Sequence, residues 1–479
     1  MYKEAVRVCL TSLLMLGFCL TATEAQVKVD SNSFSGIEAR SIGPATMSGR
    51  ILAIDAINNN PQTLYVGAAG GGVWKSTNGG TTFKPIFEKN IQSIGAITID
   101  QSKPDTVWVG TGEADTRNSV SVGNGLYKTT DGGENWTLVG LEKSERISRI
   151  LIDPKKSDTI YVSVVGNLWN DSEDRGLYKT TDGGKTWEKI LYVDAKTGCS
   201  DIAIDPQETN TIYAGMWQFR RLPYIFTSGG SGSGLHKSTD GGKTWKKLTS
   251  GLPEGELGRI AIAVAPSRPN VVYANVEAKK TGLYRSDDMG ETWRKVSSSF
   301  YVTARPFYFS HLYVDPKDYN KVYKTGFSLG LSRDGGVSFG EAGGSTHSDH
   351  HALWIDPNNT SHLYLGTDGG VYETQDSRLW TFLKGLPVSQ FYHVSYDMKY
   401  PYNVYGGLQD NGSWVGPSTS SIGVRNKDWK NVGFGDGFYT FADPNDPNII
   451  YSEWQGGRLL RYHRNTGELK AIQPFPKKG

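Results

Sequence analysis

Cysteine is scarce: three occur in 479 residues, and Cys9 and Cys19 sit in one apolar stretch near the start. With that stretch removed, Cys199 stands alone, no intrachain disulfide can form, and stability has to come from packing. Charge of one sign is missing too. Lys and Arg number 51 against 49 Asp and Glu, a formal net charge of +2, too little to draw the chain to nucleic acid or to an acidic membrane. Long apolar runs are also absent. The best, residues 8–20, is short for a membrane span, so no transmembrane segment is expected. Lys3 and Arg7 precede that run and small Thr23 and Ala25 follow it. This is the build of a secretion signal over residues 1–25, implying a secreted or periplasmic protein that begins near Gln26. Heptads, a sustained helical period, His-Glu-x-x-His and Cys-x-x-Cys are all lacking, which removes coiled coils, helical bundles and the familiar zinc templates.

Glycine and aromatic residues are plentiful, with Gly 58, Tyr 25 and Trp 13, a mix suited to short strands, tight turns and wedging rings. They recur in an octet. Copies at 76–83, 129–136, 180–187, 238–245, 286–293 and 332–339, with a worn seventh at 374–380, place Asn78, Asp131, Asp182, Asp240, Asp288, Asp334 and Asp376 at steps of 53, 51, 58, 48, 46 and 42 residues. That is the period of one four-stranded propeller blade, so the expected fold is an all-β propeller of antiparallel blades. The octet's chemistry is local: the third-position carboxylate accepts backbone N–H groups of its own turn, the first-position hydroxyl adds another partner, the fifth-position glycine allows positive φ, and the closing aromatic wedges between blades. Calcium ligation is the competing reading, but one carboxylate per loop falls far short of the six to eight oxygens calcium takes.

Between octets the chain repeats a strand, a turn such as Ile152-Asp153-Pro154 or Ile204-Asp205-Pro206, and two further strands. In an antiparallel meander alternate connections share an end, so these turns and the octets occupy one face. The longer connections, at 112–124, 166–175, 216–234, 298–310 and 341–350, occupy the other. Loops on a rigid scaffold collect binding residues, which puts the candidate site there. Arg50, Arg259 and His351 come to it from inner strands; Asp115, Arg117, Asn118, Trp169, Trp217, Arg220, Arg221, Tyr224 and Arg305 come from the long connections. Flat apolar faces with directional hydrogen bonds suit a sugar or a peptide. A plainer reading has Arg50, Arg149 and Arg259 lining a wet channel and pairing with acids. His347, His350 and His351, with His311 and Asp349, form the densest potential metal group. Strand alternation sends His350 and His351 to opposite faces and the spacing fits no template, so no metal or cofactor is expected. Glycoside hydrolysis needs two carboxylates facing across a cleft; Glu113, Asp368, Asp410 and Asp436 are the candidates, although the Gly-flanked aspartates also read as turns.

The octet resembles the Asp-box, or bacterial neuraminidase repeat, of sialidases, tandem-propeller xyloglucanases and sortilin-type receptors. The segments Ser41-Ile-Gly-Pro-Ala-Thr-Met-Ser-Gly-Arg50, Ser348-Asp-His-His-Ala-Leu-Trp354 and Tyr405-Gly-Gly-Leu-Gln-Asp-Asn-Gly-Ser-Trp414 are similar to large secreted bacterial proteins of the sortilin N-terminal or glycosyl hydrolase-like kind. The resemblance implies a propeller that either captures a glycan or peptide or hydrolyses a polysaccharide. Aligned on the xyloglucanases, residues 65–74 put Ala69 where that family has an aspartate, and alanine carries no proton. The Arg-Ile-Pro signature of sialidases is missing, with Ile42-Gly43-Pro44 in its place.

Two blade-like patterns without octets, 392–428 and 440–473, follow the seventh. Nine exceeds the four to eight of an ordinary ring. The expectation is a seven-bladed propeller over 26–389 and the start of a second over 390–479, with a ten-bladed ring as the alternative. A second propeller from a longer protein would then complete a cleft. The expected function is a secreted binding module for a glycan or peptide on the face opposite the octets, the alternative being a glycoside hydrolase.

Overall fold

A computed structural model of the protein describes residues 33, 36, 40–44, 46–118, 120–309 and 311–474; the expected signal at 1–25 lies outside them. The chain divides into Met1–Ser41 and a compact unit, Ile42–Gly479, and the sheets all belong to the second. Among the described residues there are nine antiparallel sheets, eight of four strands in meander order and one of five, in which one strand pairs off the four-stranded path. The first consists of Ile51–Ile57, Asn60–Ala68, Gly72–Ser76 and Lys84–Pro85; the others open at Ile94, Ile147, Thr197, Ile260, Leu312, His350, Phe391 and Thr440. Strands such as Ile260–Val264 and Val272–Val276 are buried at every residue, because a sheet between two neighbours is covered on both faces; hence their unbroken apolar runs.

The octets close their turns as their chemistry requires. Asp182 Oδ1 accepts from Thr180 Oγ1 at 2.7 Å, from Lys185 N at 2.9 Å and from Thr186 N at 3.0 Å, while Oδ2 accepts from Thr186 Oγ1 at 2.6 Å. Thr180 Oγ1 in turn receives Gly184 N–H at 3.1 Å. The hydroxyls of Thr186 and Thr180 and the turn's amides hold the Asp182 carboxyl well below the usual range, so it is consumed by its own hairpin. The indoles of Trp136, Trp187 and Trp380 donate to Ile86 O, Val139 O and Ala342 O of the preceding sheets, each at 2.7 Å. Lysines also tie sheets together. Lys75, Lys128 and Lys179 donate to the carbonyls of Gly132, Gly183 and Gly241 in the next octet, at 2.8, 3.0 and 2.7 Å.

Two copies depart from the pattern at the fourth position: Met289 is held at φ +59° and Ser377 of the worn seventh at +58°, where the other five have glycine at +65° to +74°. A left-handed non-glycine residue costs about 1 kcal/mol or more. Met289→Gly is therefore expected to raise the melting temperature; an unchanged or lower value in a thermal scan would refute this.

Octet and first turn share an end, since Gly132 N, Gly183 N and Gly241 N donate to Asp105 O, Asp158 O and Asn210 O at 2.9, 3.0 and 3.0 Å. The long connections open at the opposite end. There the 216–234 connection is not irregular: Ile212–Leu222 continues past its sheet and pairs with Ile225–Ser228 around a two-residue turn at Pro223 and Tyr224. The seventh sheet packs back on the first. Tyr364 Oη donates to Pro61 O at 3.0 Å, Asn358 Nδ2 donates to Asn58 O at 2.7 Å, and Ile51, Leu64 and Val66 share a core with Trp354, Tyr364 and Val371. Ile42 and Met47 reach the eighth sheet, where Trp429 Nε1 donates to Ile42 O at 2.5 Å and Met47 packs near Trp414. That sheet's first strand, Phe391–Tyr396, is largely exposed, whereas the first strands of the preceding sheets are mostly buried.

Candidate functional site

The residues of the open end meet from four quarters of the chain. Arg50 leads into Ile51–Ile57. Glu113 and Asp115 follow Val107–Thr111 through Gly112 at φ +90°, and Arg259 precedes Ile260–Val264. His351 is the extra residue of a bulge in His350–Ile355, where the register slips between His350 and Ala352; bulges re-aim a side chain in this way. Asp368 and Asp410 stand in tight turns after Leu363–Thr367 and Asn403–Leu408.

Arg50 grips Asp368 with two parallel bonds, Nε to Oδ1 at 2.8 Å and Nη2 to Oδ2 at 2.9 Å, and gives Nη1 to Glu113 Oε1 at 2.9 Å. His351 bridges two acids, Nδ1 to Asp115 Oδ2 at 2.9 Å and Nε2 to Asp368 Oδ1 at 2.8 Å. Arg259 Nη2 lies 3.1 Å from Asp115 Oδ1. All six residues are buried, none more than 3 % exposed. Burial opposes the charge of Asp368, but His351 and Arg50 outweigh it and hold the carboxyl well below its usual range. Asp115 is likewise held low against its burial by His311, His351 and Arg259. Burial also works against a charged His351, yet Asp368 and Asp115 raise it to about 9, so both ring nitrogens carry protons at neutral pH.

Asp410 is different. It lies at the edge of this network, its side chain 28 % exposed and Oδ2 3.7 Å from Arg50 Nη2. Burial, then the neighbouring Asp368 charge and the hydrogen bond to it, and then Asp436 push Asp410 up to about 8. It is a carboxylic acid at neutral pH beside a permanent carboxylate. Its backbone sits at φ +60°, and Asp436 Oδ1 receives its N–H at 2.6 Å. Oxygens of Asp349, Asp368 and Asp410 lie within 4.8 Å of one another, a spacing able to hold a cation, but the Arg50 guanidinium already supplies positive charge there. The histidine metal group does not assemble: His351 spends both nitrogens on carboxylates, and His350 Nε2 faces Thr346 and His347 O.

Several sequence candidates change role. Trp217 is fully buried, its indole N–H donating to Ser228 Oγ at 3.0 Å, so it is core rather than a ligand platform. Arg50, Arg149 and Arg259 each pair with an acid, the pairing of the plainer reading, and Asp115 and His351 are buried in the same network. Glu113 and Asp368 are equally buried, and both are bonded to Arg50. At the accessible rim stand Asp410 and Asp436, Arg117 bonded to Gln409 Oε1 at 3.2 Å, Asn118, Trp169, Arg220, Arg221, Tyr224 and Arg305. The sequence did not single out Tyr308, packed edge-on to His351, or Lys324, buried and lowered to about 7 by desolvation and then by Arg259. Lys324 looked like an ordinary strand residue; only its inward alternation hinted otherwise.

The site's titrations predict an alkaline limit on stability. His351 has a folded pKa of about 9 against an ordinary 6.5, so its contribution, on the order of 3 kcal/mol, is complete below pH 6.5 and lost as pH rises through 9. Asp410, raised to about 8, likewise contributes fully below its unfolded pKa near 4 and loses that contribution as pH rises through 8. Urea midpoints should fall steadily from pH 6 to 9.5; a flat profile would contradict the assignment.

Residues 71–214 match the profile of the Sortilin-Vps10 family (sortilin, neurotensin receptor 3), and residues 236–247 match the BNR/Asp-box repeat. These matches relate the chain to the Asp-box propellers. A xyloglucanase of a Paenibacillus species is 24 % identical over 43 % of the chain and 21 % of its own length; one of Hypocrea jecorina is 25 % identical over 43 % of the chain and 26 % of its own length. The chain thus spans about a quarter of the length of these curated relatives. The crystal structure of the GH74 enzyme of Niastella koreensis shares the fold, with a TM-score of 0.62 at 16 % identity over 90 % of this chain and 67 % of that one. No helix among the described residues of this propeller is long and apolar enough to cross a membrane.

Proposed function

We propose that this face captures a polysaccharide and that Asp410 is the acid that protonates its glycosidic oxygen. The observation that carries the reading is an accessible carboxylic acid that keeps its proton near neutral pH beside a carboxylate locked in the ionised form, the separation of acidities that marks acid–base roles. Asp368 itself is too close to be the second catalytic group, since the two carboxyls of a glycosidase stand about 5 Å or more apart. Asp436, partly exposed, is the carboxylate left to activate water. Tyr392 and Phe438, stacked at 5.1 Å beside Asp410, offer flat faces for a sugar ring. The xyloglucanase relatives support a glycan, and an extracellular polysaccharide suits a secreted or periplasmic chain.

Binding without turnover is the second reading, favoured by Ala69. It is 4 % exposed, its N–H donates to Arg50 O at 3.0 Å, and it brings no carboxyl to the network. Incubating the chain with xyloglucan, mixed-linkage β-glucan and a polyuronate while following new reducing ends separates the two: release supports hydrolysis, and retention without release supports a glycan-binding module. A peptide bound in preference to every glycan would overturn both.

For the architecture we read sheets one to seven as one ring and sheets eight and nine as the start of a second propeller, with the boundary at 384–390. The bonds from Tyr364 and Asn358 to the first sheet and the exposure of Phe391–Tyr396 support that division.

A further inference from the structure

We propose that Arg221 and Arg305 bind the carboxylates of an acidic polysaccharide across an aromatic shelf formed by Phe226 and Phe307; the inference rests on the glycan reading of the same face. Arg50, Arg117, Arg220 and Arg259 each have a carboxylate within salt-bridge distance. Among the described residues, Arg221 and Arg305 have none. Arg221 gives Nη2 to the neutral amide oxygen of Asn118 and leaves Nε without a partner. Arg305 is exposed and no hydrogen bond joins its side chain to another described residue. Asp349 is the carboxyl that feels its charge, yet the two form no ion pair.

Both guanidiniums are nevertheless held in place. Arg221 lies 5.9 Å from the Phe226 ring centre, Phe226 and Phe307 are 5.2 Å apart, and Arg305 lies 6.0 Å from Phe307, so the shelf links them. Arg305 is further packed over Tyr308 at 4.7 Å and Phe309 at 5.6 Å, the arrangement in which an aromatic face attracts a cation. Its backbone is at φ +43°, a strained conformation that persists only where surroundings enforce it. Immobilised arginine forks with unspent N–H groups match carboxylates bidentately, while the rings offer faces to sugar C–H groups. A neutral glucan would use the rings and leave both forks idle. A polyuronate uses both features.

Affinity electrophoresis of the full chain through gels containing polygalacturonate, xyloglucan or poly-L-glutamate tests this. Polygalacturonate should retard the chain at least about tenfold more strongly than xyloglucan, roughly 1.4 kcal/mol, and the retardation should weaken with added salt. Arg221→Gln with Arg305→Gln should lose about tenfold in affinity while keeping the circular dichroism spectrum; the Lys pair should fall between. If the Gln pair misfolds, the salt dependence of the unmodified chain decides. Equal or stronger binding of xyloglucan, or a folded Gln pair that binds polygalacturonate undiminished, overturns the inference and leaves the glycan reading standing. Binding of poly-L-glutamate alone, or of no polymer, overturns both.

Discussion

Arg50→Met is expected to lower the unfolding free energy by about 3–5 kcal/mol, or to prevent folding altogether, because it strands buried charge. Arg50 is 3 % exposed and satisfies Asp368 through two bonds and Glu113 through a third. Methionine fills much of the same space and bonds to neither acid. Asp368 would keep His351, but Glu113, also 3 % exposed, would keep only a 3.4 Å contact with Arg117. The expected outcome is a large drop in the urea midpoint, together with an acid shift of stability as the abandoned carboxylates take up protons. Pairing Arg50→Met with Glu113→Gln should recover part of the loss, since the amide needs no counter-charge. A single variant less than about 1 kcal/mol below the parent would mean that the network is wet and screened, as surface pairs are.

Asp410→Asn is expected to abolish turnover, with a fall of about 10²–10⁴ in kcat on whatever glycan the parent cleaves, and with glycan retention unchanged. The amide copies the size and neutrality of the protonated acid and can transfer no proton. The parent's rate should decline as pH rises through about 8, the pKa of Asp410, because the acid form is the active one; the residual rate of the variant should lack that limb. The stability contribution of Asp410 has the same sign, so the variant should also lose part of the alkaline fall in urea midpoint. A variant that hydrolyses at the parent's rate removes Asp410 from the chemistry. A variant that stops binding as well makes it a binding group instead.

The fold was legible because its signals are short-range: every octet writes its hairpin within eight residues, and Asp182 closes on Thr180 and Thr186 with no help from elsewhere. The division of loops between two ends followed from meander geometry alone. The site was legible only as a set of residue types. That Asp115 meets His351 across 236 positions, or that Arg50 meets Asp368 across 318, depends on how sheets are arranged, and no local pattern encodes it. Burial was the main error. Trp217 is the residue type of a sugar platform, but it belongs to the extended hairpin at 212–228, where its ring packs into the core against Phe219 and Phe226. The left-handed Arg305 and the unshared charge of Arg221 likewise exist only once the neighbouring carboxylates are seen to be engaged elsewhere.

The hydroxyl of Tyr364 finds its acceptor 303 residues upstream, and the flank of the first sheet is covered by Trp354, Tyr364 and Val371. During synthesis that flank therefore waits, apolar and uncovered, until more than three quarters of the chain has emerged. Such late, non-local closure slows folding and leaves a sticky surface in the interim. Nascent chains halted before residue 350 should be the ones that aggregate.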